Sequence, residues 1–189
     1  MSKRLRSTFT PSRQENDMAF DLGNLLQQYL GGAANAHHGN PEDDFDRVAQ
    51  NAPREQVAQG VAGALRSDQT PPFPQMVSQL FGQSNPNQRA GMLNQILATL
   101  GPTVLAQLGN GGLGNLFGGR TPTQVTPEQA SQVSPEQVRE LAEKAEQQNP
   151  SIVDRMGDFY AENPTLVKAI GGAALAIALG HMAQGMRRH

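Results

Sequence analysis

The feature that most constrains the fold of this sequence is a helix-capping side chain placed directly before proline, which recurs along the chain. The pairs are Asn40-Pro41, Asn85-Pro86, Thr126-Pro127, Ser134-Pro135, Asn149-Pro150 and Asn163-Pro164. The oxygen of such a side chain accepts a hydrogen bond from a free first-turn N–H group, and proline at the first helical position loses only an N–H that had no partner. No run of alternating β-branched residues indicates a strand. We therefore predict an all-α protein of many short, Pro-initiated helices.

Apolar residues at helical spacing fill the intervals between these helix starts. The predicted helices run over residues 19–30, 41–50, 53–66, 73–82, 86–100, 102–108, 127–132, 135–148, 150–162 and 164–186. In the predicted helix at 53–66, Val57, Val61 and Leu65 lie on one apolar stripe, while Gly60 and Gly63 leave room for another helix to approach closely. We interpret such stripes as parts of the core.

The distribution of charge divides the chain into two parts. Over residues 67–121 the only charged side chains are those of Asp68, Arg89 and Arg120. So little charge favours burial or self-association over a solvated face. A stretch rich in Gly, Pro and Thr lies where the charge returns. We predict a disordered basic tail at 1–18, an N-terminal helical unit at 19–108, a linker at 109–126 and a C-terminal helical unit at 127–189.

Composition excludes several classes of function. A formal net charge of −2 creates no field that would recruit nucleic acid, so nucleic acid is not an expected partner. The chain has no cysteine, which excludes disulfides, thiolate nucleophiles and Cys-ligated zinc and fits a reducing compartment. The basic N-terminal residues lack the apolar run of a secretory signal. We therefore expect a cytoplasmic protein and leave peripheral association with a membrane open.

A glycine pattern at 109–114, GNGGLG, formally matches the Gly-x-Gly-x-x-Gly loop of dinucleotide sites. In those sites the loop follows a strand and begins a helix, so that backbone amides meet the pyrophosphate. Here a predicted helix precedes the pattern and further glycines follow it. We therefore expect no bound nucleotide or other cofactor.

The titratable residues give no arrangement typical of a metal site or an active site. His37 and His38 precede a group of acids that begins at Glu42, but neighbouring side chains diverge, and a polar loop entering a capped helix accounts for the same residues. Other acids lie in first turns or on the polar face of 135–148, where Glu140 and Lys144 form an i,i+4 pair. We expect no catalytic residues, no metal and no small-molecule substrate, and leave an enzyme of unrecognised class as a third alternative.

Two Leu/Gly/Asn-rich segments suggest a family. The segments FDLGNLLQQYLGG at 20–32 and GNGGLGNLFGG at 109–119 resemble segments of the YidB-like family of small bacterial helical proteins of unknown function. The resemblance covers these low-complexity pieces and not the C-terminal helices. It implies a bacterial all-α protein with no known activity.

The last predicted helix, 164–186, is the most apolar segment of the sequence. A helix that spans a bilayer needs about 20 mainly apolar residues, but the uninterrupted apolar part here is only Ala169–Gly180, with Lys168 before it. We therefore predict that this helix packs against protein, either within its own domain or on a second copy. The alternative is a membrane-associated protein that uses 164–186 as an interfacial or tail segment.

Small residues on this helix give it a smooth ridge. Glycine or alanine recurs every fourth residue, a spacing that lets two helices approach closely, and larger apolar residues form a stripe beside the ridge. The predicted interaction surface consists of Gly172, Leu175, Ala176, Leu179, Gly180 and Met182. The function that we predict is non-enzymatic helical interaction or self-association. The expected partner is either another protein or a second copy of the chain.

Overall fold

The computed structural model of the protein describes residues 22–30, 40–109 and 124–186, and its regular structure there is entirely helical. The all-α prediction is confirmed for these residues. In chain order the helices are α1 (22–27), α2 (Pro41–Asn51), α3 (Arg54–Leu65), α4 (Phe73–Gln83), α5 (Pro86–Thr99), α6 (Pro102–Gly109), α7 (Pro127–Ala130), α8 (Pro135–Gln148), α9 (Ile152–Ala161), α10 (Pro164–Val167) and α11 (Gly172–Met186). From α2 to α9, the predicted bounds agree with the observed ones within two residues.

The capping prediction is confirmed at four of the six pairs. The side chains of Asn40, Asn85, Thr126 and Ser134 each accept a hydrogen bond from a first-turn N–H group. The last three also form capping boxes, in which the side-chain oxygen of a glutamine three residues later accepts a hydrogen bond from the backbone N–H of the cap residue. Asn163 differs, because its amide donates to the Phe159 carbonyl at 2.9 Å instead of capping α10.

One hydrophobic core joins the helices on both sides of residues 109–126. α3 lies at its centre, with α9 and α11 packed on it, while α4 packs on α8 and α5 contacts α7, α8 and α9. The core extends along the chain from Leu26 to Ala183. The two predicted helical units therefore share a core, with α3 supplied by the first and α9 and α11 by the second. The predicted tail at 1–18 and residues 110–123 of the predicted linker lie outside the described residues.

Close helix approach on α3 was predicted from its glycines and is confirmed. A Cβ atom at Gly60 would lie 2.8 Å from the Ala178 carbonyl oxygen of α11 and would also collide with the Met182 side chain. At Gly63 it would lie 2.6 Å from Cγ of the His181 ring. Because the Ala178 oxygen belongs to the backbone, α11 can lie this close to α3 only because residue 60 lacks a side chain, whereas the atoms close to Gly63 belong to the His181 side chain.

The prediction of one long apolar helix over 164–186 is wrong. The chain forms α10, a turn of 3-10 helix at Lys168–Ile170 and then α11. Gly171 separates the last two with φ at +92°, a backbone conformation that only glycine adopts readily. The break allows α10 to lie against α9 and α4 while α11 lies against α3, and both contact α2. In the described part of the chain, no helix has the length and apolar character that crossing a membrane requires.

Candidate functional site

The six residues of the predicted interaction surface lie within the protein's own fold. Leu175, Ala176, Leu179, Gly180 and Met182 are buried, and Gly172 is partly buried beside Pro41. Their helix packs on α3, on α2 and on the Tyr29 backbone of the segment that follows α1. In the structure this surface joins helices of one chain, which agrees with packing within its own domain, one of the two alternatives predicted for it.

Two other sequence candidates lie outside the described residues, namely the pair His37 and His38 and residues 110–114 of the glycine pattern. Gly109, the first residue of that pattern, is the last residue of α6. Among the residues that the structure describes, no group of three or more His, Asp or Glu side chains could hold a metal ion. Glu140 and Lys144 both lie on the exposed face of α8.

A groove of about 270 Å³ lies between α3 and α9. Ala58 and Ala62 are among its lining residues, and Glu55, Asp154 and Asp158 carry its carboxylates. Gly157 lets α9 approach the backbone of α3, since a Cβ atom at this position would lie 2.7 Å from the Ala58 carbonyl oxygen.

Ion pairs join α3 and α9 at both ends of this groove. Arg66 contacts Asp154 with both terminal nitrogens, at 2.6 and 2.7 Å, and Arg54 pairs with Glu162. Since the pairs join the start of one helix to the end of the other, α3 and α9 run antiparallel. All four side chains are about half exposed, so each pair adds little stability, about 0–1 kcal/mol. The pairs fix the relative position of the two helices and neutralise two of the carboxylates near the groove.

A second polar cluster holds the start of α2 to two other segments. The Tyr29 hydroxyl donates to Oδ2 of Asp44 at 2.6 Å, and Nζ of Lys168 donates to Oδ2 of Asp46 at 2.6 Å. The hydrogen bond to Asp46 raises the pKa of the Lys168 ammonium above its usual value. Both contacts position neighbouring segments, since each joins residues far apart in the sequence.

The helix α6 presents apolar side chains at the surface. Its sequence, PTVLAQLG, contains no charged residue. Val104 and Leu105 are half-buried against the core, and Thr103 and Ala106 are exposed. The Gly101 amide just before the helix donates to Oε1 of Gln148, at the end of α8, at 3.1 Å.

Sequence reasoning predicted α6 as a helix but did not single it out as a surface. The signal that could have found it is the scarcity of charge over residues 67–121, which surrounds α6 on both sides. A charge-poor stretch that is largely core over α4 and α5 becomes partly exposed at α6. This helix is therefore the candidate interaction site of the described residues.

A comparison of the chain with protein-family models, with curated proteins and with solved structures found no match.

Proposed function

We propose that the protein is a non-enzymatic helical interaction protein that associates with a second copy of itself through α6. The observation that carries the proposal is the uncharged sequence of α6 combined with the partial exposure of Val104, Leu105 and Ala106. Apolar surface removed from water contributes about 25 cal/mol for each Å² buried. Covering this face with a like face therefore favours association.

Charge and symmetry support a second copy as the partner. In a twofold dimer the same patch meets itself, so a charge close to the twofold axis would lie near its own equivalent on the other copy. An uncharged helix avoids this repulsion, whereas the exposed face of α8, for example, carries several charges. The lack of cysteine supports a cytoplasmic protein, and the resemblance to the YidB-like family adds no activity.

The alternative role at a membrane depended on residues 164–186 as an interfacial or tail segment. In the structure the apolar side chains of α11 are covered by α3, α2 and Tyr29. The apolar surface that favoured this alternative is thus occupied by the protein itself, and we do not propose it.

Replacing Ala106 with glutamate tests the proposed dimer. The residue is exposed, so the fold is expected to be unaffected, but in a twofold dimer the change brings two carboxylates together at the interface. We expect wild-type protein to sediment as a dimer at tens of micromolar and the variant to need about tenfold more protein to do so, a change equal to about 1.4 kcal/mol. Sedimentation velocity over a concentration series measures this.

The matched control is Gln147→Glu, which adds the same charge at an exposed position on α8. We expect it to sediment like the wild type. A wild-type protein that stays monomeric throughout the series, or an Ala106→Glu protein that dimerises as readily as the control, would contradict the proposal.

A further inference from the structure

The segment around α1 is an amphipathic unit docked on the rest of the fold. Leu26 and Tyr29 are each only 1% exposed, and Leu22, Leu25 and Leu30 pack against the core from partly buried positions. These five residues recur at i, i+3, i+4, i+7 and i+8, so they lie on one face. That face contacts α2 through Asp44 and α11 through Gly180. We call the surface between α2 and α11 that receives it the α1 seat.

Two specific contacts hold the segment in the α1 seat. The Tyr29 hydroxyl donates to Asp44 at 2.6 Å, and the Tyr29 carbonyl lies against Gly180. A Cβ atom at Gly180 would be 2.8 Å from that carbonyl oxygen. Among the described residues, only atoms of Tyr29 come within 4 Å of this Cβ position. The absence of a side chain at Gly180 therefore makes room for this segment and for no other described residue.

The segment is joined to α2 by residues 31–39, GGAANAHHG, which contain no large apolar side chain. Nine residues reach at most about 30 Å. A second copy within that distance can present the same segment, with the same side chains, to the same seat. The exchanged contacts are identical to the original ones, which makes such an exchange a low-cost route to a dimer.

We infer that the α1 seat is a helix-docking site in its own right and that residues 22–30 of a second copy can occupy it by exchange. This route is independent of α6. In the wild type the tethered segment competes at an effective concentration of about millimolar order, so exchange requires comparably concentrated protein. Disabling the seat of one copy and the segment of another removes that competition.

The test mixes two full-length variants, each carrying Ala106→Glu to weaken association through α6. In the first, Tyr29→Ala weakens the segment and leaves the seat open. In the second, Gly180→Ala closes the seat by collision with the Tyr29 carbonyl and leaves the segment intact. Neither variant is expected to pair with itself. Mixed at tens of micromolar, they are expected to form a hetero-pair, which native mass spectrometry separates from each homo-pair by mass.

The matched control mixes the Tyr29→Ala protein with Gly185→Ala. Gly185 lies on the same helix, and no described atom comes within 4 Å of its Cβ position. Its seat and segment are both intact, so its own segment remains docked and no hetero-pair is expected. Equal pairing in both mixtures, or no pairing in either while circular dichroism shows folded helices, overturns the inference.

Hydrogen exchange on Gly180→Ala alone provides the second measurement. We expect faster exchange at the amides of Gln28, Tyr29 and Leu30, which donate to carbonyls within the segment, and unchanged protection in α3 and α9. If the substitution instead removes protection throughout the core, the segment is an integral part of that core and the seat is not a separate docking site. That result also overturns the inference, and it leaves the dimer through α6 untouched.

Discussion

Replacing Gly157 with alanine is expected to lower the free energy of unfolding by about 2 kcal/mol, although alanine is the better helix former by about 1 kcal/mol. The new Cβ atom would lie 2.7 Å from the Ala58 carbonyl oxygen, 3.0 Å from Cβ of Ala62 and 3.3 Å from the Ala62 amide nitrogen. All three are backbone or Cβ atoms, which no side-chain rotation can move. Relief therefore requires α9 to move away from α3, which loosens the centre of the core.

Gly185→Ala is the matched control, because the same chemical change falls where no described atom lies within 4 Å. There the higher helix propensity of alanine acts alone, and we expect a gain of about 0.5 kcal/mol. Urea unfolding followed by circular dichroism compares the two variants. A Gly157→Ala protein as stable as the control would show that α3 and α9 are not in close contact.

Tyr160→Phe is expected to raise the free energy of unfolding by about 1–2 kcal/mol. Tyr160 is fully buried, and its hydroxyl has no hydrogen-bond partner among the described residues. Burial raises the pKa of this phenol, so the hydroxyl remains neutral at any ordinary pH. Phenylalanine removes the unpaired hydroxyl and keeps the ring, which packs edge-to-face on Phe159 with centroids 5.7 Å apart.

The second tyrosine of the chain provides the opposite case. Tyr29 is equally buried, but its hydroxyl donates to Asp44 at 2.6 Å. Tyr29→Phe leaves that carboxylate without its donor, and we expect a loss of about 1 kcal/mol. Thermal unfolding of both variants measures the pair. If the two substitutions shift the unfolding midpoint in the same direction, the result contradicts our account that the Tyr29 hydroxyl is hydrogen-bonded and the Tyr160 hydroxyl is not.

The start of most helices could be predicted because the determining interaction is local. The capping boxes at Asn85, Thr126 and Ser134 each involve a glutamine only three residues away. The break at Gly171 could not be predicted in this way, because apolar residues at helical spacing continue through it. Its positive φ accompanies the packing of α10 on α9 and α4 and of α11 on α3, which local sequence does not specify.

Contacts between residues that are distant in the sequence could not be predicted in the same way. Arg66 and Asp154 are 88 residues apart, and nothing in either helix identifies the other as its partner. The apolar residues of α11 correctly indicated a helix that must be covered, but not that α3, α2 and Tyr29 cover it. Conversely, α6 has an ordinary helical pattern, and only the fold shows that its apolar residues are partly exposed.

The central claim, that α6 of one copy meets α6 of another, is tested most directly by a single cysteine. Since the natural chain has none, Ala106→Cys can form only an intermolecular disulfide, and that requires the two Cα atoms to approach within about 7 Å. Under mild oxidation we expect Ala106→Cys to form a covalent dimer much faster than Gln147→Cys, its counterpart on α8. Equal rates of cross-linking for the two variants would contradict the claim.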